Sequence, residues 1–260
     1  MNSGAAVLPP LLFVAGTDTG VGKTVTTAAL AAALSLPAED GAGTPPVGAV
    51  AAYKPTQTGV LGGDPGDMDE VRRLAGVAAV FEGIRLRAPM APPPAAALEG
   101  AVLPDLAEHI GRITGLSRQY DHVLVEGAGG LLVELDAAGH TLADLAAAFP
   151  GRAGTVVVCR SGLGTLNHTQ LTLEALARRE LPVAGLVIGS WPRDPDAVEL
   201  SNLEHLRALP VPFLGVLPAG APALTPEEFR AGARDWLAAQ GPSLSRPFAW
   251  RGSGAVRPPR

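Results

Sequence analysis

Cysteine is almost absent. Cys159 is the only one in 260 residues, so no disulfide framework can form within one chain, and a reducing cytosol is the expected compartment. That cysteine ends the apolar run TVVVC (155–159), where a buried strand thiol is expected rather than a reactive one. Positive charge is scarce as well. Lys plus Arg number 20 against 25 Asp plus Glu, a formal net charge of −5, which argues against a phosphate-binding face for nucleic acid. The N-terminal stretch MNSGAAVLPPLLFVAG has no basic start, and its prolines interrupt a run too short to span a bilayer. Residues 1–10 read as a loose leader. No nucleic acid and no membrane is therefore expected as a partner; small molecules are.

What is present is apolar and segmented. With 47% hydrophobic content the chain has enough to bury one full α/β core, expected over residues 11–240. Strand-length apolar runs recur at 11–16, 47–55, 122–130, 154–162, 183–190 and 212–220, and most end in Gly, Pro or a polar residue. They are continuous rather than alternating, as strands covered on both faces are. Helical patterns follow several of them, at 23–36, 67–76, 141–149, 164–180, 196–208 and 225–240. The alternation predicts a doubly wound, mostly parallel sheet, whose ligands bind beyond the carboxyl ends of the strands. The Gly/Pro-rich stretch 37–48 reads as a surface loop, and 241–260 as a disordered tail.

The first strand runs into GTDTGVGKT (16–24) and then an alanine-rich helix. Glycines followed by Lys23 and Thr24 at a strand-to-helix junction form a phosphate cradle. Backbone amides of Thr19, Gly20, Val21 and Gly22 would face the anion, Lys23 would add charge, and the Thr24 hydroxyl would be a magnesium ligand. The spacing is unusual, with five residues between Gly16 and Gly22 where the common pattern has four. The second strand ends in YKPTQTG (53–59), where Pro55 is expected to end pairing and leave Lys54 and Thr58 on the sheet's rim. A second lysine there would neutralise charge during phosphoryl transfer. Asp64, Asp67, Asp69 and Glu70 precede or open the next helix, as capping acids or with at least one holding magnesium. HVLVEGAGG (122–130) brings Glu126 to a strand end, where a metal ligand is expected ahead of a structural ion pair, before glycines that expose their amides.

GTDTGVGKT, YKPTQTG, VEGAGGLLVEL and GLGTLNHTQLTLEAL occur in order, and together they resemble the dethiobiotin synthetases, whose phosphate loop has this same five-residue gap. The resemblance covers about 11–220. It implies the P-loop nucleoside triphosphate hydrolase architecture and an ATP-dependent ligase. That enzyme carboxylates 7,8-diaminopelargonate with CO2 and closes the cyclic urea through a carbamate and a carbamic-phosphoric anhydride. By resemblance Lys23 contacts phosphates and carbamate, Lys54 stabilises the charge shared between carbamate and γ-phosphate, and Thr24, Asp67 and Glu126 bind Mg2+. Thr58, Thr19 and Gly129 border the substrate. The helix start at Gly164, Thr165, Leu166 and Asn167 receives the diamine carboxylate from the neighbouring subunit of a homodimer, while Thr165 or Asn167 would also serve as N-cap. Pro218, Ala219 and Gly220 resemble a base-side loop. One departure stands out: relatives carry an Asn-Asp pair where this chain has Gly189 and Ser190, which cannot read an adenine edge, so ATP need not be the sole triphosphate accepted.

Two other P-loop readings fit less well. A partition-type switch ATPase would begin its loop Lys-Gly-Gly, where this chain has Gly16-Thr17-Asp18. An amidating ligase of the cobyrinate type would need a glutaminase domain with its own nucleophilic cysteine, for which Cys159 within a strand is unsuited.

Overall fold

The computed structural model describes residues 8–35 and 49–238. In chain order the elements are β1 (Leu11–Gly16), α1 (Lys23–Ser35), β2 (Val50–Gln57), α2 (Asp67–Ala75), β3 (Val80–Arg85), α3 (Pro92–Glu99), α4 (Leu106–Leu116), β4 (His122–Gly130), α5 (Leu142–Ala147), β5 (Ala153–Cys159), α6 (Thr165–Arg178), β6 (Val183–Trp191), α7 (Ala197–Arg207), β7 (Phe213–Pro218) and α8 (Pro226–Ala238). The strands form one seven-stranded sheet in the order β3-β2-β4-β1-β5-β6-β7, with every pair parallel. This is the expected doubly wound α/β class.

Parallel strands need crossovers, and the crossovers put helices on both faces. Along β1 alternate residues serve the two sides: Leu12 and Val14 face one core with α1, α2 and α8, and Leu11, Phe13 and Ala15 face the other with α4 to α7. Helix α1 is apolar nearly all round, KTVTTAALAAALS, and its alanines let it lie buried between the sheet, α2 and α8. From β1 the chain crosses to β2 on one side of the sheet, and from β4 it crosses over to β5 on the other. The crevice at this reversal opens over the carboxyl end of β1, where the phosphate loop lies.

The structure corrects several expectations. Strand β3 and helices α3 and α4 were not foreseen. Strand β3 is an edge strand reading VFEGIR with only Val80 buried, so it lacks the continuous apolar run of the inner strands. Helix α3 opens on three prolines and α4 carries two glycines, both poor helix signals. Nor does β2 stop at Pro55. Its pairing with β4 ends at Tyr53, but pairing with β3 continues through Thr56 and Gln57. Lys54 is thus inside the sheet rather than on a rim. Of the segment expected to be loose, Leu8 packs into the core and the Pro10 carbonyl accepts from Val123 N at 2.8 Å. Residues 1–7, the 37–48 loop and the 241–260 tail lie outside the described residues. Cys159 is fully buried at the end of β5, and burial pushes its thiol up to about 11.

Candidate active site

The bend between β1 and α1 is held from below. Thr17 N donates to Val158 O of β5 at 2.9 Å, and Gly20 and Gly22 take positive φ of 71° and 92°. Gly22 rests directly on β6: a Cβ there would lie 2.3 Å from the Gly189 carbonyl oxygen, and one on Gly189 would lie 2.2 Å from Val21 O. Gly189 therefore lets the bend seat on the sheet. Val21 is buried while Thr19 and Gly20 are exposed at the tip, and the bend leads into the N-terminus of α1, whose first amides have no acceptor within the helix and could receive an anion. Lys23 is buried and its Nζ donates to Asp18 O at 3.1 Å. Burial pushes its ammonium below the ordinary lysine value, helped by the Lys54 charge and opposed by Glu126, Asp67 and Asp18.

Beside the bend lies a buried charge cluster. Lys54 Nζ is 2.6 Å from Asp67 Oδ2 and 2.8 Å from Glu126 Oε1, and it also donates to Gly127 O at 3.2 Å. Glu126 is fully buried; Thr24 donates to its Oε1 at 3.0 Å and Thr27 to its Oε2 at 2.8 Å. These hydroxyls come from one face of α1, three residues apart. Burial alone would push Lys54 down, but Glu126 and Asp67 outweigh it and hold the ammonium above its usual range. Burial would likewise raise Asp67, yet Lys54, the Thr24 hydroxyl and Lys23 hold that carboxyl low. Of the acidic residues expected there, Asp67 lies against Lys54, Asp69 accepts the Gly66 amide and pairs with Arg72 and Arg85, and Asp64 is exposed.

Magnesium fits this donor set. Thr24, Asp67 and Glu126 offer one hydroxyl and two carboxylates, all hard oxygens, beside an anion receptor. Among the described residues no cluster of three or more His, Cys, Asp or Glu is arranged to hold a metal by itself. A sparse oxygen set completed by phosphate and water is the usual magnesium arrangement.

The remaining expected residues fall into three groups. Thr58 is half-buried just beyond β2, and the Thr19 hydroxyl oxygen lies 3.4 Å from where a Gly129 Cβ would be. At the start of α6, Gly164 is the cap residue in the left-handed region with φ 85°, and no side chain caps the helix. Neither Thr165 nor Asn167 is the cap, contrary to expectation: Thr165 is fully buried and Asn167 is exposed. Among the described residues no hydrogen bond or ion pair joins Gly164, Thr165, Leu166 or Asn167 to Lys54, Asp67 or Glu126. The third group is the stretch expected to face the base, where Ser190, Ala219 and Gly220 are exposed, Pro218 is half-buried, and Ala219 N donates to Trp191 O at 2.8 Å.

Sequence reasoning missed Thr27, three residues beyond Thr24 on the same face of α1, and that spacing was the signal available. It also missed Arg160, whose guanidinium pairs with Asp18 at the loop bend, and Gln57, which is buried beside Asp67.

A glycine-bearing bend between the first strand and first helix of a doubly wound parallel sheet, with a buried lysine and an acidic, hydroxyl-bearing pocket beside it, defines a P-loop nucleotide-binding protein. A McdA complex with ATP from Cyanothece shares that fold, with a TM-score of 0.50 at 11% identity over 92% of this chain and 95% of that one. The AAA domain family model matches residues 11–227. The ATP-dependent dethiobiotin synthetase of Rhodococcus jostii is 49% identical over 228 residues, 87% of this chain and 94% of the relative. That of Frankia casuarinae is 52% identical over 224 residues, covering 86% and 90%. The chain belongs to the ATP-dependent dethiobiotin synthetase family.

Proposed function

We propose that this protein is an ATP-dependent ligase that forms dethiobiotin from 7,8-diaminopelargonate and CO2. The observation that carries the reading is the burial of Lys54 between Asp67 and Glu126, next to the phosphate bend. A cation so enclosed is held in place before reaction and meets developing negative charge without reorganising.

One amine of the diamine attacks CO2 and loses a proton, giving a carbamate. A carbamate oxygen then attacks the γ-phosphorus and ADP leaves. The second amine attacks the carbamoyl carbon, closing the cyclic urea as phosphate departs with the carbamate oxygen. Phosphorylation turns a poor leaving oxygen into a good one. Lys23 holds phosphate and carbamate oxygens, and Lys54 stabilises the charge shared between them. Thr19, Thr58 and Gly129 border the diamine near its reacting end. Thr24, Asp67 and Glu126 would hold magnesium, which supplies charge neutralisation at the phosphates.

The protein is a homodimer in this reading. The N-terminus of α6 at Gly164, Thr165, Leu166 and Asn167 meets the diamine carboxylate bound by the partner, where free helix amides favour an anion. Leu163 and Leu171, 81% and 56% exposed around that start, are apolar surface suited to a partner chain. The buried free thiol of Cys159 fits a reducing cytosol. On the base side, Gly189 and Ser190 with Pro218, Ala219 and Gly220 border the nucleobase but lack a paired amide donor and acceptor, so triphosphates besides ATP are accepted.

The test incubates purified protein with magnesium, bicarbonate, diaminopelargonate and ATP, with CTP and GTP in parallel, and looks for dethiobiotin by mass spectrometry. Product with ATP, and weaker but measurable product with the other two, is expected. Absence of product, with phosphate release persisting without the diamine, would replace the ligase with a switch ATPase.

A further inference from the structure

We infer that Gln57 is a positioning residue that fixes the metal side and the substrate side of the site relative to each other; the inference rests on the roles proposed above for Asp67 and Thr58. Gln57 ends β2 and is only 4% exposed. Both ends of its amide are engaged. Oε1 accepts from the backbone N of Asp67 at 2.9 Å, and Nε2 donates to the carbonyl of Thr58 at 3.1 Å. The opposite orientation would set two donors against each other at Asp67 and two acceptors at Thr58, so the neighbours dictate the amide's direction.

The two groups so joined are ends of an excursion. Between them the chain passes out through residues 61–65, all exposed, and Gln57 closes its neck. The amide of Asp67 opens α2, whose cap residue is Gly66. The amide of this first helical residue has no acceptor within the helix, and a capping side chain would serve the second or third residue instead, so its acceptor comes from β2. The first residue of that turn is Asp67, whose carboxylate lies 2.6 Å from Lys54. Through one side chain, then, the residue at the metal side and the residue beside the substrate share an anchor. Gln57 acts through Asp67 and Thr58 and touches no reacting atom.

Two variants of similar size separate its two bonds. Gln57→Met removes both. Gln57→Glu keeps an acceptor for the Asp67 amide and turns an oxygen on the Thr58 carbonyl. Magnesium dependence is read by thermal stabilisation of the ATP-bound protein, and the substrate side by the KM for the diamine. For Gln57→Met we expect the magnesium midpoint and the diamine KM each to rise about tenfold, the effect of one lost buried hydrogen bond on each side. For Gln57→Glu the diamine KM rises about tenfold while the magnesium midpoint stays within about threefold. A purely structural role would lower the melting temperature of both without this split. Wild-type behaviour in both variants, or the same change in both, overturns the inference. If Gln57→Met does not fold, Gln57→Glu decides alone, and an unchanged diamine KM overturns it. Asp67→Asn and Thr58→Ala run alongside. If Asp67→Asn leaves the magnesium midpoint unmoved, the site reading fails and the bridge with it. If both controls respond and the Gln57 variants do not, only the bridge fails.

Discussion

Lys54 and Glu126 form an ion pair inside the protein, Nζ to Oε1 2.8 Å, with neither side chain more than 4% exposed. Such a pair contributes little net stability against an apolar replacement, because both charges lose their water. In the proposed reaction its use is electrostatic: an ammonium fixed beside the bend that would receive phosphate. Lys54→Ala is therefore expected to lower turnover about a hundredfold or more while nucleotide affinity stays within a few fold, since charge that develops in the transition state affects rate more than binding. Turnover by product release and affinity by calorimetric titration check this. A normal turnover would remove Lys54 from the chemistry. The variant should also melt lower, because Glu126 keeps its Thr24 and Thr27 bonds but loses its cation.

Gly189 offers a test of the phosphate bend that leaves every polar group in place. In Gly189→Ala the new methyl would lie 2.2 Å from Val21 O and 2.6 Å from Val158 Cγ1. The β6 backbone is fixed in the sheet, so the bend moves. Overpacking of this kind costs about 1–3 kcal/mol, and nucleotide affinity is expected to fall about tenfold or more, measured by titration with a fluorescent ATP analogue. Wild-type affinity would show that the bend adjusts without disturbing its amides.

Much of this architecture is legible in the sequence, and the illegible parts have physical causes. Strands β1 and β4 match the expected 11–16 and 122–130 because inner parallel strands are apolar without interruption. Strand β3 escaped notice because an edge strand needs no such run. The candidate site was legible where a motif marks it, as at Lys23, Thr24 and Glu126, which the fold brings to one end of β1 and β4. It was not where a long-range contact gives a residue its role: Gln57 is an ordinary polar residue until the fold brings α2 to its amide. One signal went unused. The whole chain contains two lysines, Lys23 and Lys54, against eighteen arginines, and both lie in the site. Arginine suffices for surface charge, whereas a compact ammonium with three rotatable donors suits a crowded oxygen cluster.

Away from the site, Tyr53 and His109 are buried together, with the phenol oxygen 2.7 Å from Nδ1 and no partner for Nε2. Burial pushes His109 below the ordinary histidine value of 6.5, against the pull of Glu108, Asp136 and Asp105. The native state therefore binds fewer protons than the unfolded state. The stability this neutral histidine allows is fully present above about pH 6.5 and declines as the pH falls below it, by at most about 1.4 kcal/mol per unit. His109→Gln keeps an acceptor for the Tyr53 hydroxyl and removes the proton site. Denaturant unfolding between pH 8 and 5 should show a shallower acid loss in the variant, with His122, which burial also lowers, accounting for part of what remains. Equal slopes in both proteins would show that His109 is protonated in the native state too.

Whether the active site is shared between subunits can be decided by mixing lesions. Lys23→Ala disables the phosphate side. Asn167→Trp blocks the carboxylate side at an exposed position, where the fold tolerates a large residue. Each homodimer should be inactive. In a mixed dimer with composite sites, one site collects both lesions and the other collects neither. Random exchange of equal amounts makes about half of all dimers mixed, so about a quarter of sites should be intact. Activity after unfolding and co-refolding should rise toward that fraction of a wild-type control treated alike. If both lesions fall in one subunit's own site, mixing creates no intact site at any ratio, and the refolded mixture stays as inactive as its parents. That outcome, with the control recovered, would return α6 and the phosphate bend to a single chain.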